Sequence, residues 1–582
     1  MADQPPADSG LTAAGKFVVF LFVLALLGAG AYLLRDTIFP KEGSRQAATA
    51  QKTAPAAAEG EEKGVEAKDA AGITTAKEYK YVPAEKLPPV KGVSNYRYVD
   101  NTVVFPINMW IGWLPIVAAN RGFKSNEESI FFKKYGFKVN LKLIDDPVAA
   151  RDAYAAGDSH VLWGTLDMIV LFAPDLLKDS RTAPRVFQQI DWSNGGDGIV
   201  VRDTIRSVRD LKGKTVVYAQ NSPSQYYFNS LLISAGIQPS EVRHKYTASA
   251  FEAAAAFVAD RTIDGCVSWA PDIYTIPDKV RGTRILSTTQ DANRLISDVY
   301  AIRADFAKDH PEVVKGLVAG IFEGMSEVAK DPNPAFRYLA DGFALPVEEI
   351  QKMKNDAYST NFAENRQFFL NANNPTNFER TWKNVSAVYR ELGVIGSPVP
   401  FDQVMDFSVV KELELAKAFP DQIEAPVKTF VATDFKKLSG EAPILTQTIH
   451  INFFPNSADL KEPARDDYGN KVAGKLYDPN IDVTLERVFR LSGQFSNARV
   501  ALVGHTDSSR KGQVPFEDVR QLSLARANAV RQAILEKYPG RFDPNKFVVD
   551  GKGWNEPADP ADALNQAKNR RVEISVYSPE AE

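Results

Sequence analysis

The feature that constrains this fold most is a long alternation of short β-branched runs with helical segments, from about residue 95 to residue 302. Such alternation is typical of parallel strands joined by crossover helices. It therefore predicts an α/β domain, which continues into a strongly helical region up to about residue 417. The candidate strands are residues 102–107, 137–144, 160–163, 186–190, 198–201, 215–219 and 299–302.

Charge and composition exclude several classes of protein. Lys and Arg total 69 and Asp and Glu total 73, so the net charge is only −4. A nucleic-acid-binding protein normally carries a basic excess on one domain, which this balance does not provide. The chain has one cysteine, Cys266, and five histidines without a zinc-ligand spacing. Neither an internal disulfide nor a structural metal site is therefore expected.

Catalytic motifs are also missing from the sequence, which contains no GxSxG, no HExxH and no GxxxxGK[ST]. Cys266 lies in the apolar run DGCVSW with no histidine near it. This setting indicates a buried and unreactive thiol. We therefore expect a binding protein without a cofactor rather than an enzyme.

An uncharged apolar run from residue 17 to residue 34 reads FVVFLFVLALLGAGAYLL. Its 18 residues, flanked by Lys16 and Arg35, are just enough to cross a bilayer core. We therefore predict a transmembrane anchor at residues 17–35, after a short tail at residues 1–16. The alternative is a cleaved signal peptide, because the small residues at 29–31 fit a cleavage site. Either segment would export the bulk of the chain.

Two segments have the composition of linkers. Residues 36–94 are rich in Ala, Lys, Glu and Pro and have too few large apolar side chains to offset the entropy of ordering. They are predicted to be a flexible linker, with a short exposed helix as the alternative for part of them. Residues 420–443 form a second linker. These linkers delimit a middle domain at residues 95–419 and a C-terminal domain at residues 444–582.

The C-terminal domain is predicted to be a compact α/β sandwich. Its candidate strands are residues 446–453, 499–503, 547–549 and 572–577, and its candidate helices are residues 481–495 and 523–538. In the second helix Ala527, Val530, Ile534 and Tyr538 recur at intervals of three and four. One face of that helix is therefore buried, and Arg526 stands at the edge of this face.

Five motifs in this domain, INFFPNSADL, ALVGHTDSS, LSLARANAVRQAIL, GKGWNEP and NRRVEI, occur in a characteristic order and spacing. In both respects they resemble the OmpA-like peptidoglycan-binding family. The resemblance implies that Asp507 of the HTD motif and Arg526 of the LARA motif bind the free end of diaminopimelate in the stem peptide. It implies Arg570 of the NRR motif as a second cationic contact. The segment between Asp507 and Arg526 is a few residues longer than in the family, and an extended loop there could tilt Asp507 away.

In the middle domain, the segments MWIGWLP, FFKKYGFKVNLKLI, ARDAYAAGDSHVLWGT, DWSNGGDGIVVR and VSWAPDIY follow one another in order. In this order they resemble the nitrate, sulfonate, taurine and thiamine-precursor group of periplasmic solute-binding proteins. The resemblance implies a two-lobed, type II periplasmic-binding-protein fold with a ligand cleft between the lobes. The similar segments 198–202 and 299–303 would be the strands crossing between a lobe of residues 97–200 plus 301 onward and a lobe of residues 203–298.

Residues at the carboxyl ends of strands and at helix starts face such a cleft. By this rule the candidate ligand-binding residues are Trp110, Trp113, Thr165, Ser193, Asp197, Ser222, Ser224, Gln225, Trp269 and Asp272. Tryptophans next to Gly and Pro are more often packing residues than ligand walls, and Ser224 could be a helix cap. Asp272 is better suited to a cation, a backbone amide or an arginine than to an anion. The aromatic and acidic lining disfavours a small bare anion.

Together these features predict a bacterial cell-envelope protein that is anchored in the inner membrane, with the bulk of its chain in the periplasm. Its expected partners are peptidoglycan, a small-molecule solute, and a membrane transporter or signalling protein, but no nucleic acid. The alternative is a structural tether whose middle domain binds a partner instead of a ligand. An enzyme that uses the cleft is a further alternative, but no nucleophile or histidine cluster supports it.

Overall fold

A computed structural model of the protein describes residues 72–84, 87–564 and 566–579, which belong to one compact unit. The predicted tail at residues 1–16, the predicted anchor at residues 17–35 and the first part of the linker lie outside the described residues. Within the described ranges, no helix is both long enough and apolar enough to cross a bilayer.

The middle domain is an α/β structure. Its strands are β1 (Tyr81–Val82), β2 (Thr102–Ile107), β3 (Lys138–Leu143), β4 (Val161–Thr165), β5 (Pro184–Ser193), β6 (Asp197–Arg202), β7 (Thr215–Ala219), β8 (Arg243–Thr247), β9 (Gly265–Trp269), β10 (Thr283–Thr288), β11 (Ser297–Arg303) and β12 (Ala357–Ser359). Its helices are α1 (Leu114–Asn120), α2 (Ile130–Tyr135), α3 (Pro147–Ala155), α4 (Leu166–Leu176), α5 (Pro223–Ser234), α6 (Ala250–Ala259), α7 (Asp272–Lys279), α8 (Ala304–Asp309), α9 (Pro311–Lys330), α10 (Asn333–Phe343), α11 (Val347–Lys352), α12 (Phe362–Leu370), α13 (Phe378–Glu391) and α14 (Ser408–Leu415).

Two separate sheets define two lobes. The first lobe contains the sheet β12-β5-β11-β4 and the parallel pair β2-β3, and the second contains the sheet β1-β8-β7-β9-β6-β10. All seven strands predicted for this domain are present, each within three residues of its predicted ends. The predicted two-lobed α/β fold is therefore confirmed for the middle domain.

The connections between the lobes differ from the prediction. Strand β5 ends at Ser193 in the first sheet and β6 begins at Asp197 in the second, while the return runs from the end of β10 to the start of β11. The crossovers are therefore residues 194–196 and 289–296, and the predicted crossing strands at 198–202 and 299–303 each belong to one lobe. Because β6 pairs with β9 and β10, and β11 pairs with β4 and β5, neither strand can bridge the two sheets.

Part of the predicted first linker is docked on the middle domain. Strand β1 pairs with β8, and Thr75 donates from its backbone N and its Oγ1 to Asp272 Oδ1 at 2.9 and 2.8 Å. Further along, the buried guanidinium of Arg151 donates to the carbonyl oxygen of Pro88 at 2.7 Å. The prediction of a free linker is therefore wrong for residues 72–84 and 87–94, because buried charged groups of both lobes bind this segment.

The C-terminal domain is a sandwich of one sheet and two long helices. Its strands are β13 (Leu445–His450), β14 (Pro463–Arg465), β15 (Lys471–Leu476), β16 (Arg499–Gly504), β17 (Phe547–Gly551) and β18 (Arg571–Tyr577). The helices from residue 435 onward are α15 (Phe435–Leu438), α16 (Ile481–Gln494), α17 (Phe516–Lys537) and α18 (Gln566–Asn569). The central sheet has the order β13-β18-β16-β17, and β14 pairs with β15 in a separate hairpin.

Two predicted boundaries in this region are wrong. Helix α17 begins at Phe516 rather than at residue 523, directly after Pro515 and with acidic residues in its first turn. The second linker is shorter than predicted, because Leu438 is buried against the outer face of the C-terminal sheet. Arg499 also donates to Glu441 at 3.0 Å. The C-terminal domain therefore starts near residue 434.

The C-terminal domain binds both crossovers of the middle domain through residues 494–497, here called the docking loop. Asn293 Oδ1, in one crossover, accepts hydrogen bonds from Ser496 Oγ and from the backbone N of Asn497, both at 3.0 Å. Asn497 Nδ2 donates to Asn194 Oδ1, in the other crossover, at 3.4 Å. The two domains are therefore joined at the hinge between the lobes.

Replacement of Asn293 by alanine is expected to weaken this junction. Asn293 is 2% exposed, so its loss would leave two donors of the docking loop without their acceptor, at a cost of about 1–3 kcal/mol. Urea denaturation measures the free energy of unfolding, with the exposed Asn373→Ala variant as the control. Equal stability of the two variants would contradict a structural role for this contact.

Candidate functional site

Three charged side chains from separate elements meet in one cavity of the C-terminal domain. Asp507 follows the end of β16, Arg526 lies on α17, and Arg570 lies between α18 and β18. The cavity has a volume of about 250 Å³. Its lining consists of Pro455, Asn456, Thr506, Asp507, Ser509, Arg510, Val514, Asp518, Val519, Leu522, Arg526, Trp554 and Arg570. The structure thus brings together all three residues that the OmpA-like motifs indicated.

Asp507 has a fixed orientation in this cavity. Its Oδ2 accepts a hydrogen bond from Arg570 Nε at 2.7 Å, and its Oδ1 accepts one from the backbone N of Ser509 at 2.9 Å. Burial alone would raise the pKa of Asp507. The hydrogen bonds from Ser509 and Arg570 together lower the pKa by more than burial raises it, so the net pKa is below the usual value. The carboxylate is therefore charged at neutral pH.

Arg526 is largely buried but still presents hydrogen-bond donors. Its Nε donates to the carbonyl oxygen of Ser457 at 3.1 Å, and its guanidinium carbon lies 4.7 Å from the centre of the Phe453 ring. Burial, and then the nearby positive charge of Arg570, lower its pKa to about 10. The guanidinium therefore stays charged at neutral pH, and among the described residues no hydrogen bond is made by its terminal nitrogens.

The long segment between Asp507 and Arg526 does not displace the acid. Residues 516–522 extend α17 at its start, and Ser508 Oγ donates to the carbonyl oxygen of Ala563 at 2.9 Å. Because these contacts anchor the segment at both ends, Asp507 remains in the cavity with Arg526. Trp554, which also lines the cavity, was not named from the sequence, although it lies in the quoted motif GKGWNEP.

A second cavity lies between the lobes of the middle domain and has a volume of about 20 Å³. Its lining consists of Asn108, Trp110, Pro147, Trp163, Thr165, Asp197, Pro223, Trp269, Ile296 and Asp298. Four of the sequence-based candidates are among them: Trp110, Thr165, Asp197 and Trp269. Asn108, Trp163 and Asp298 were missed, although each stands in or next to a predicted strand.

Two other candidates support the cleft from behind. Trp113 is fully buried, donates from Nε1 to Asn108 Oδ1 at 2.9 Å, and packs against Trp163. Ser193 donates from Oγ to Asp197 Oδ2 at 2.6 Å. Both residues therefore orient side chains of the lining and do not themselves line the cavity.

The remaining four candidates lie away from the lining. Ser222 donates from Oγ to the carbonyl oxygen of Ala219 at 2.9 Å, and Gln225 accepts the backbone N of Asn221 at 2.7 Å, so both stabilise the turn before α5. Ser224 is buried in the first turn of α5, which begins at Pro223 with Ser222 in the capping position. Asp272 binds Thr75 instead of facing the cleft.

Carboxyl groups dominate the polar part of the cleft. Asp197 and Asp298 line it, and Asp191, next to Asp298, accepts a hydrogen bond from Trp110 Nε1 at 3.1 Å. Burial raises the pKa of Asp191 and of Asp197 to about 7. Burial, and then the neighbouring acids, raise the pKa of Asp298 well above its usual value. Both carboxyl groups, of Asp191 and of Asp298, therefore favour the protonated form more than an exposed aspartate does.

Two lobes with a cleft at the hinge, followed by a sandwich with a charged cavity, form the arrangement that the resemblances in the sequence implied. Comparison with protein families agrees with this division. Residues 122–335 match the NMT1/THI5-like family model, and residues 473–571 match the model of the OmpA family. The chain therefore combines an NMT1/THI5-like domain with a C-terminal OmpA domain, as the sequence motifs predicted.

Curated relatives match each domain separately. The taurine-binding periplasmic protein of Escherichia coli is 26% identical over 210 residues, which are 35% of this chain and 62% of that protein. Outer membrane protein Omp38 of Acinetobacter baumannii is 29% identical over 171 residues, which are 29% of this chain and 41% of that protein. The chain thus spans less than two thirds of the length of these relatives.

Solved structures with a similar course of the chain include two periplasmic binding proteins. The aliphatic sulphonate binding protein SsuA from Escherichia coli has 18% identity and a TM-score of 0.41, and the match covers 52% of this chain and 96% of that one. The nitrate-binding protein NrtA from Synechocystis PCC 6803 has 14% identity and a TM-score of 0.43, with 57% and 94% covered.

The buried acids of the cleft predict a pH-dependent effect of Asp298→Asn. The pKa of Asp298 is higher in the folded than in the unfolded chain, so the folded state binds the proton more tightly. Ionisation therefore costs stability as pH rises from about 4 upward, and asparagine, which cannot ionise, avoids this cost. We expect the variant to gain about 1–3 kcal/mol relative to the unchanged chain between about pH 5 and about pH 8.

Urea denaturation of both proteins at the two pH values measures this gain. The Asp467→Asn variant, which changes an exposed acid, serves as the control. A stability difference between Asp298→Asn and the unchanged chain that does not vary with pH would contradict the raised pKa.

Proposed function

We propose that this protein binds peptidoglycan in the bacterial cell envelope through its C-terminal domain and a small solute through the cleft of its middle domain. The observation that carries the first part is the convergence of Asp507, Arg526 and Arg570 on one cavity. A negative and a positive side chain, both fixed and both charged at neutral pH, complement a zwitterionic head group.

The free end of diaminopimelate in a stem peptide is such a head group, because it carries an ammonium and a carboxylate on one carbon. Asp507 would accept hydrogen bonds from the ammonium, and Arg526 would donate two parallel hydrogen bonds to the carboxylate. Arg570 already binds Asp507 at 2.7 Å. We therefore assign it the role of orienting that acid, with a direct contact to the ligand as a second contribution.

The solute-binding part of the proposal is supported by the NMT1/THI5-like match and by the cleft at the hinge. The relative from Escherichia coli is named for taurine binding, and this chain has a cleft between its two lobes. A receptor fixed to the cell wall would stay close to a transporter or signalling protein of the inner membrane.

The location in the envelope is part of the same proposal. The apolar run at residues 17–34 supports an inner-membrane anchor, with the remaining domains in the periplasm. Intact-mass measurement on protein extracted from membranes tests it. A mass that includes residues 1–35 is expected, and a mass that begins after residue 31 would indicate a cleaved signal peptide instead.

Co-sedimentation with purified sacculi tests the wall site. The variant Asp507→Asn removes the negative charge that would bind the ammonium. The variant Arg526→Lys keeps the positive charge but cannot donate two parallel hydrogen bonds to the carboxylate. Hydrogen bonds to charged groups contribute about 1.5–3 kcal/mol, so each variant is expected to weaken binding by at least about tenfold. Melting curves recorded alongside identify any variant that is not folded.

Matched substitutions at exposed positions, Asp467→Asn and Arg281→Lys, should sediment with sacculi like the unchanged protein. Full binding by both Asp507→Asn and Arg526→Lys would place the contact with the wall elsewhere on the molecule.

A second candidate function is a structural tether whose middle domain binds a partner and no solute. The small size of the cleft favours it, since a volume of about 20 Å³ accommodates about one water molecule. A thermal-shift screen of the full chain with sulfonates, amines, pyrimidines and oxyanions distinguishes the two. Stabilisation by one compound supports the receptor, and no response to any of them supports the tether.

A further inference from the structure

We propose that the cleft between the lobes binds an organic ammonium ion with a neutral hydrogen-bond acceptor, such as a small amino alcohol, and not a sulfonate or another oxyanion. This inference rests on the proposed solute-binding function and specifies the class of ligand. Three features of the cleft lining support it: its acidic residues, its tryptophan side chains, and a tryptophan N–H without a hydrogen-bond partner among the described residues.

The charge of the lining favours a cation. Asp197 and Asp298 are its ionisable residues, and the lining contains no lysine, arginine or histidine in the part of the chain that the structure describes. Asp191 stands directly behind, where it binds Trp110. An oxyanion in this cavity would lie beside carboxyl groups without a counter-charge, whereas an ammonium would favour their ionised form.

The aromatic side chains of the cleft favour the same ligand. Trp110, Trp163 and Trp269 all line the cavity, and the faces of tryptophan rings attract ammonium groups within about 6 Å. Two of these rings have fixed orientations: Trp110 Nε1 donates to Asp191 at 3.1 Å, and Trp163 Nε1 donates to the carbonyl oxygen of Ile144 at 3.1 Å. Tryptophan rings and carboxylates both attract positive charge, so a lining that contains both suits a cation.

The third tryptophan indicates a second polar group on the ligand. Trp269 is 6% exposed, and its Nε1 has no hydrogen-bond partner among the described residues. A buried donor of this kind costs free energy unless a ligand supplies an acceptor. Because the lining offers no positive charge to balance a sulfonate or carboxylate, a neutral oxygen such as a hydroxyl is the better match.

Entry of such a ligand requires the lobes to separate. Asn108, Trp163 and Asp298 belong to the first lobe, whereas Asp197, Pro223 and Trp269 belong to the second, so the cavity lies at the junction between them. At about 20 Å³ the cavity accommodates about one water molecule and is too small for an amino alcohol. Rotation about the crossovers at 194–196 and 289–296 would enlarge it.

Isothermal titration calorimetry of the full chain with four related compounds tests the proposal. Ethanolamine and choline carry the cation and a hydroxyl, taurine carries an ammonium and a sulfonate, and ethanesulfonate carries the anion alone. We expect ethanolamine or choline to bind at least about tenfold more tightly than taurine, and ethanesulfonate not to bind.

Variants link the binding to the cleft. Asp298→Asn and Asp197→Asn should each weaken binding of the amine by about tenfold or more, and Trp269→Phe should weaken it by a smaller factor. Asp272→Asn changes a buried acid of the second lobe that binds Thr75 outside the cleft, and it should leave the affinity unchanged. Unchanged amine binding in both Asp298→Asn and Asp197→Asn would overturn the assignment.

The remaining outcomes separate this inference from the proposal on which it rests. Preference for taurine or ethanesulfonate would overturn the ligand class but leave the middle domain a solute receptor. No binding of any of the four compounds, by protein that still sediments with sacculi, would overturn both the ligand class and the receptor function, and would favour the tether.

Discussion

The close approach of helix α17 to the ends of strands β16 and β17 is the constraint on which the charged cavity of the C-terminal domain depends. A Cβ at Gly504, the last residue of β16, would lie 1.9 Å from the carbonyl oxygen of Ser523, and one at Gly551 would lie 2.5 Å from that of Arg520. Only glycine permits this distance. Asp507, three residues beyond β16, and Arg526, three residues beyond Ser523 on α17, therefore reach the same cavity. The packing of the helix on the strand ends thus brings the carboxylate of Asp507 and the guanidinium of Arg526 into one cavity.

A second constraint joins the two functional regions. The docking loop of the C-terminal domain binds Asn293 in one crossover and Asn194 in the other. Because an opening of the lobes would move these crossovers, it would also move the docking loop that binds them. The same hinge contains Thr289, whose Oγ1 accepts the backbone N of Gly195 at 2.9 Å. The cleft between the lobes and the charged cavity of the C-terminal domain thus belong to one connected structure.

The sequence predicted strands best where apolar β-branched residues follow one another, as in β2 and β7. Strand β8 was missed because its residues, RHKYT, are mostly polar, and its structure comes from pairing with β7 and β1. Motif order predicted the three charged residues that meet in the cavity of the C-terminal domain. The residues that line the cleft were predicted only in part. A position at the carboxyl end of a strand or at the start of a helix does not determine whether the side chain faces the other lobe. Asp298 lines the cleft but was not predicted, because it stands just before a predicted strand. Asp272 was predicted to line the cleft but binds Thr75 instead.

The central claim is that a carboxylate and a guanidinium recognise both charges on one carbon of the stem peptide. Binding of two soluble stem peptides to the full chain tests it most directly. One peptide has diaminopimelate as its third residue, and the other has lysine, whose side chain ends in an ammonium without a carboxylate. The diaminopimelate peptide is expected to bind at least about tenfold more tightly, because only it can pair with Arg526 as well as with Asp507. Equal affinity for the two peptides would contradict the account.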